Sequence, residues 1–131
     1  MQELDPRFRS DDGTIDEDSN LAQWNKYICE AAVRYNRPLP NYYDFYAWFE
    51  KAGFVDIQQV HLKSPSNPWP KDKLLKEVGK FQLCAHLEGL EGVSMGLLCR
   101  GLEWKADEVK VFMAKIRPEV RNRAIHSYQI T

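Results

Sequence analysis

Phe54-Val55-Asp56-Ile57-Gln58-Gln59-Val60-His61-Leu62-Lys63 is the stretch on which the fold turns. Its β-branched and apolar residues follow directly on Gly53, and a glycine ends a helix because it enters left-handed backbone without steric penalty. Residues 54–63 therefore predict a strand, and a strand needs neighbours. Upstream, Asn41 stands where it can cap a segment in which Tyr42, Phe45, Trp48, Phe49 and Ala52 share one face, so a helix is expected over 41–52. Downstream, Ser64-Pro65-Ser66-Asn67-Pro68-Trp69-Pro70 places prolines so densely that no regular ladder or helix can form, and Trp69 rides on an extended loop.

Further out, Ser10-Asp11-Asp12-Gly13-Thr14 reads as a turn. Leu21, Trp24, Ile28, Ala31, Ala32 and Tyr35 then recur at three- and four-residue spacing, with Asn20 and Gln23 as a capping pair and Pro38 and Pro40 as the stop. A helix is expected from Asp72 to Leu87, carried by Leu74, Leu75, Val78, Phe81 and Leu83. Gly89 and Gly92 separate it from a second over Val93 to Arg100. Lys105 to Ile116 is amphipathic through Val109, Phe112, Met113 and Ile116, and Pro118 is placed to start a short last helix. Residues 125–130 suggest an edge or terminal strand; with residues 1–4 they are the expected sheet neighbours of 54–63. So many helices beside so little sheet imply either an essentially helical domain or part of a larger α/β unit.

The 131 residues suit one domain, and 44% hydrophobic with 28% charged residues is a globular composition. A formal charge of −1 provides no field to draw nucleic acid. No stretch approaches the roughly 18 apolar residues of a membrane span, and the N-terminus has no apolar core of a signal peptide. Cys29, Cys84 and Cys99 are an odd, scattered set that suits small buried hydrophobes in a reducing, intracellular compartment, cytoplasmic or nuclear.

Few residues have the spacing that chemistry requires. Cys84 and His86 are the only close metal-ligand pair, and no nucleophile-elbow pattern surrounds Ser94, Cys99 or Cys29. Gly89, Gly92, Gly96 and Gly101 follow a helix instead of joining a strand to one, so they do not form a phosphate cradle. Asp11, Asp12, Asp16, Glu17 and Asp18 read as a solvated loop ahead of a helix N-terminus, with cation binding as the other reading. Among the crowded aromatics, most suit a core. Trp69, braced by Pro68 and Pro70, either plugs the protein or lines a ligand pocket. His126 and Tyr128 alternate along a strand and share a face, where the imidazole is either a hydrogen-bonded structural group or a general base. Trp69, His126 and Tyr128 are the substrate-side candidates.

Several motifs together resemble one family: Ser10-Asp11-Asp12-Gly13-Thr14 ahead of Leu21 and Trp24, Ala52-Gly53-Phe54-Val55-Asp56, Lys63-Ser64-Pro65 through Asn67-Pro68-Trp69-Pro70-Lys71-Asp72, Lys76-Glu77-Val78-Gly79, and Ile125-His126-Ser127-Tyr128. In order and spacing they are similar to the LaeA-like S-adenosylmethionine-dependent methyltransferases of fungi. The resemblance implies an α/β class I (Rossmann-like) methyltransferase fold of which residues 1–131 are a partial domain, the helix-rich C-terminal half with two or three strands. Met1-Gln2-Glu3 matches the end of the family's fifth strand and 125–130 the start of its last, and the half that carries the cofactor's Gly-rich turn is missing. It further implies S-adenosylmethionine as cofactor with no binding residues in this chain, and a small-molecule acceptor in fungal secondary metabolism. A chain of this kind is expected to be inactive alone. The alternative is a non-catalytic interaction module, or a regulator that partners velvet proteins.

Overall fold

The computed structural model describes residues 1–131 as an α/β chain of four helices and a three-stranded sheet. In chain order the elements are β1 (Asp5–Arg9), α1 (Asn20–Arg34), α2 (Asp44–Lys51), β2 (Lys63–Pro65), α3 (Lys73–Gly101), α4 (Ala106–Arg121) and β3 (Tyr128–Ile130). The sheet order is β1-β3-β2 with both pairings antiparallel, so of the edge or terminal strand expected over 125–130 only Tyr128–Ile130 forms, as the central strand and not an edge. Pro65 is tolerated because β2 is itself an edge, where a missing N–H breaks no second ladder.

Residues 54–63 form a strand only at their far end. Lys63 pairs with Ile130, and Leu62 and Thr131 exchange backbone hydrogen bonds at 2.9 Å, but Val55 to His61 make no backbone–backbone bond. Their composition suits a strand, yet strand formation requires a second backbone, and the ladder with β3 pairs nothing before Leu62. Residues 1–4 are likewise unpaired, and the neighbour strand forms over Asp5–Arg9 instead.

Helix α1 follows the spacing of its apolar residues: Leu21, Trp24, Ile28, Ala31 and Ala32 are buried. Its cap is Ser19, whose side chain accepts from Ala22 N, and not the expected Asn20–Gln23 pair. Asn20 is engaged elsewhere, since Glu119 of α4 accepts from its side chain and from the backbone N–H groups of Asn20 and Leu21. A carboxylate there complements the positive end of α1.

Gly89 and Gly92 do not divide the third helical region. Helix α3 runs unbroken for 29 residues, about 43 Å at 1.5 Å per residue. Its second half buries Leu90, Ser94 and Leu98 against α1 and α4, which outweighs the roughly 1 kcal/mol that each helical glycine costs. Its first half projects past that layer, so Leu74 and Phe81, expected inward, are 73% and 76% exposed. Pro118 lies inside α4 instead of opening a new helix, and the lost backbone bond is offset by burial of Ile116 and Val120 on either side.

The core joins Phe8 of β1 to Leu21, Trp24 and Ile28 of α1, Leu98 of α3, and Val109, Phe112, Met113, Ile116 and Val120 of α4. Trp24 donates its indole N–H to Ser94 Oγ at 2.8 Å, and Ser94 donates to Leu90 O. Gly101 lies so close to the Ala31 carbonyl that a side chain there would collide with backbone. No residue of α2 is buried, and Trp48 is 52% exposed. Tyr42, Phe45, Tyr46 and Phe49, expected in a core, line an open groove instead. Cys84 also departs from the expected buried thiol, standing exposed on α3, while Cys29 and Cys99 are half-buried. No helix is long and apolar enough to cross a membrane.

Candidate functional site

The turn after β1 is built by its own side chains. Gly13 takes a φ of +75°, and Asp12 Oδ1 accepts from both the N–H and the hydroxyl of Thr14, the local bonding by which aspartate organises a tight turn. Ser10 Oγ accepts from Ile15 N and closes the loop. The turn is then bound to the segment leading into β3, because His126 N donates to Thr14 Oγ1 at 2.9 Å.

Three elements place the expected residues around it. His126 Nδ1 meets Asp12 Oδ2 at 2.5 Å, and the tyrosine hydroxyl of Tyr128 donates to Asp11 Oδ1 at 2.6 Å. Lys63, at the first position of β2, donates to the other Asp11 oxygen at 2.5 Å and holds its ammonium 4.8 Å from the Tyr128 ring centroid. Trp69 donates its indole N–H to Ser127 O at 2.9 Å, and its ring lies 4.8 Å from the His126 ring with planes 31° apart. Trp69, His126 and Tyr128 are thus brought into one patch, with Trp69 and His126 half-exposed and Tyr128 buried.

The charges are mutually adjusted. Hydrogen bonds from Thr14 and then His126 hold the Asp12 carboxyl down to about 2. The bond from Lys63, then that from Tyr128, lowers Asp11, and Asp11 in turn raises Lys63. Burial, followed by the bond to Asp11, pushes the Tyr128 phenol up. Tyr128 is therefore a neutral donor already committed to Asp11, which suits it to holding the turn.

Behind the patch lies a buried polar layer. Asn67 donates to Asn122 O and Ile125 O, and Ser66 N donates to Ser127 O, so the proline-rich loop is bound to the segment leading into β3. Gly79 of α3 lets the Asn67 carbonyl approach where a Cβ would collide. Asp11, Asp12, Thr14 and Lys63 are the site residues that reading the residues one by one missed. The signal for the first three was the Ser-Asp-Asp-Gly-Thr turn, whose acidic residues were read as a solvated loop although each of the two carboxylates has a partner more than fifty residues away.

His126 uses Nδ1 on Asp12, and no hydrogen bond within the chain uses its Nε2. A carboxylate that orients one ring nitrogen and leaves the other open is the arrangement by which an imidazole accepts a proton from a substrate. No group of three or more His, Cys, Asp or Glu converges as a metal site, and Cys84 and His86 do not act together: Cys84 turns toward Glu88, while His86 meets Gln129. The residues do not fit S-adenosylmethionine as a glycine-lined strand-to-helix turn would. Gly13 is the one glycine that follows a strand and precedes a helix, and α1 begins seven residues beyond it.

Beside Ile130 and Thr131, a groove of about 820 Å³ opens between residues 1–6, the aromatic side of α2 and residues 54–62.

Over 98% of its length the chain is homologous to LaeA-like methyltransferases and regulators of fungi. It is 38% identical over 128 residues to the probable methyltransferase tdiE of Emericella nidulans, of which it covers 40%. It is 33% identical over 127 residues to the secondary metabolism regulator LAE1 of Cochliobolus heterostrophus, covering 41%, and 30% identical over 129 residues to the secondary metabolism regulator laeA of Aspergillus flavus, covering 35%. The chain thus spans about two fifths of the length of the relatives it matches, consistent with a C-terminal portion. No family model matches the chain, and no solved structure matches it.

Proposed function

We propose that this chain is the acceptor-side, C-terminal half of a class I, Rossmann-like methyltransferase domain of fungal secondary metabolism, dependent on S-adenosylmethionine held by residues outside these 131. The observation that carries the reading is the Asp12–His126 pair with Nε2 open beside the Trp69 indole. In it, Trp69 walls a small-molecule acceptor, and His126 Nε2 takes the proton from its oxygen or nitrogen. Asp12 keeps the ring oriented and offsets the imidazolium charge that forms. Lys63, Asp11 and Tyr128 hold the turn that carries Asp12.

Two measurements test this. Calorimetry of the chain alone with S-adenosylmethionine is expected to show no tight binding; a dissociation constant near 1 μM, about −8 kcal/mol, would overturn the assignment of the cofactor to other residues. The chain joined to the part of the Emericella nidulans relative that it does not cover is expected to transfer labelled methyl to small phenolic or amine acceptors. Loss of that transfer in His126→Gln, with the fold retained, supports the base; full retention removes it.

Relatives named as regulators favour a second reading, in which the same half-fold is a non-catalytic interaction module. That reading is supported if His126→Gln in the producing fungus leaves metabolite levels unchanged while deletion of the chain alters them.

A further inference from the structure

We propose that the cavity between α1 and α4 is a binding site for a methylated ammonium group, caged by the rings of Tyr27, Trp104 and Phe112. The cavity has a volume of about 440 Å³, and Asp107, Glu108 and Lys115 line it beside the three rings. It shares no residue with the Asp12–His126 patch. Tyr27 stands on α1 and Phe112 on α4. Trp104 reaches them through the turn between α3 and α4, where Glu103 takes a φ of +59° and Trp104 N donates to Leu98 O at 3.2 Å. A residue with a Cβ enters left-handed backbone only against strain, and here that turn delivers the indole.

The rings meet pairwise at centroid distances of 5.0, 5.5 and 5.6 Å, with interplanar angles from 61° to 76°. Rings set edge to face make a corner and not a flat platform, so a compact, rounded group suits them better than a planar one. Phe112 is buried, and Tyr27 and Trp104 are half-exposed. The indole N–H groups of Trp24 and Trp69 are bound to Ser94 and Ser127, whereas that of Trp104 donates to no group of the chain and is not buried. Aromatic faces attract cations. The cations that the chain places over rings, Arg9 on Tyr42 and Lys63 on Tyr128, lie elsewhere. The lining holds two carboxylates against the one ammonium of Lys115; Glu108 accepts from Lys105 N at 2.7 Å, and Asp107 has no partner in the chain. An unmethylated ammonium keeps three strongly hydrated N–H donors, for which one free carboxylate is too little. A methylated ammonium presents the same charge on apolar methyl groups, which ring faces receive without loss of a hydrogen bond.

The test uses the full chain, isotope-labelled, and reads the indole N–H resonances of its four tryptophans. Choline is the probe, and dimethylbutanol, its neutral carbon isostere, is the control. Choline is expected to shift the Trp104 resonance saturably with a Kd of about 1 to 10 mM, leaving those of Trp24, Trp48 and Trp69 in place. The isostere is expected to bind about fivefold more weakly or worse, because it lacks the charge that the rings attract. Tyr27→Leu removes one wall and keeps the reporter, and a loss of about fivefold in choline affinity is expected. Asp107→Asn, on the exposed first turn of α4, is expected to weaken choline by about twofold while the fold is retained. A blocked trimethyllysine that binds more tightly than choline assigns the cage to a protein side chain, and the reverse order assigns it to a free small cation. No saturable shift at about 50 mM choline, equal binding of the isostere or of unmethylated lysine, or equal movement of the exposed Trp48 resonance would each overturn the proposal.

Discussion

The ring of His126 lies 4.8 Å from the indole of Trp69, and the indole N–H is bound to Ser127 O, the residue next to that histidine. The indole and the imidazole are therefore held against each other by two adjoining residues, His126 and Ser127. The proline-rich loop is attached to this segment twice more, through Asn67 and Ser66.

Trp69→Phe keeps an aromatic face but loses the bond to Ser127, and a loss of about 1 kcal/mol in stability is expected. Trp69→Ala removes the stack as well, and because the ring is only half-buried the loss is expected near 2 kcal/mol, short of a full core truncation. Chemical denaturation of the two variants measures the difference. Equal losses would show that the stack on His126 contributes nothing.

Asp12 provides the acid test. Its folded-state value, about 2, lies below the ordinary carboxylate value of 3.8, so its contribution to stability is complete above that ordinary value and is lost as pH falls through about 2. The thermal midpoint of Asp12→Asn is thus expected below that of the parent at pH 6, with the gap closing as pH falls between those two values. A gap that stays constant across that range would mean the carboxylate charge does not act.

The glycines of α3 separate into two groups. Gly79→Ala and Gly101→Ala drive a methyl into the backbone at Asn67 and Ala31, and each is expected to destabilise by about 1 to 3 kcal/mol. Gly92→Ala meets open space within a helix and is expected to stabilise by about 0.5 to 1 kcal/mol. Urea midpoints that move in the same direction for Gly79→Ala and Gly92→Ala would contradict the packing of α3 on the proline-rich loop.

Ser94→Ala leaves the fully buried indole N–H of Trp24 without an acceptor, for an expected cost of about 1 to 3 kcal/mol. Trp24→Phe in the same background removes the stranded donor. The double variant is expected to lose less than the two single losses added together, and strict additivity in a double-mutant cycle would show that the two groups are not coupled.

The sequence by itself determined what local chemistry can express. The apolar spacing of α1 marks its buried face, and Gly53, with a φ of +91°, ends α2 where its position indicates. The strand-like composition of 54–63 and the resemblance to LaeA-like proteins are also legible from residues alone. The grouping of Trp69, His126 and Tyr128 was legible in part, because alternation puts the last two on one face and prolines brace the first.

Tertiary structure decided whatever depended on a partner distant along the chain. Gly89, Gly92 and Pro118 carry local breaking signals of about 1 to 3 kcal/mol, and burial of Leu90, Ser94, Leu98, Ile116 and Val120 against other helices overrides them. Asp11 and Asp12 look like solvated loop residues until Lys63, His126 and Tyr128 are folded onto them. Residues 54–61 keep the composition of a strand and are not one, because a ladder hydrogen bond belongs to two backbones and only Leu62 onward has a second one beside it.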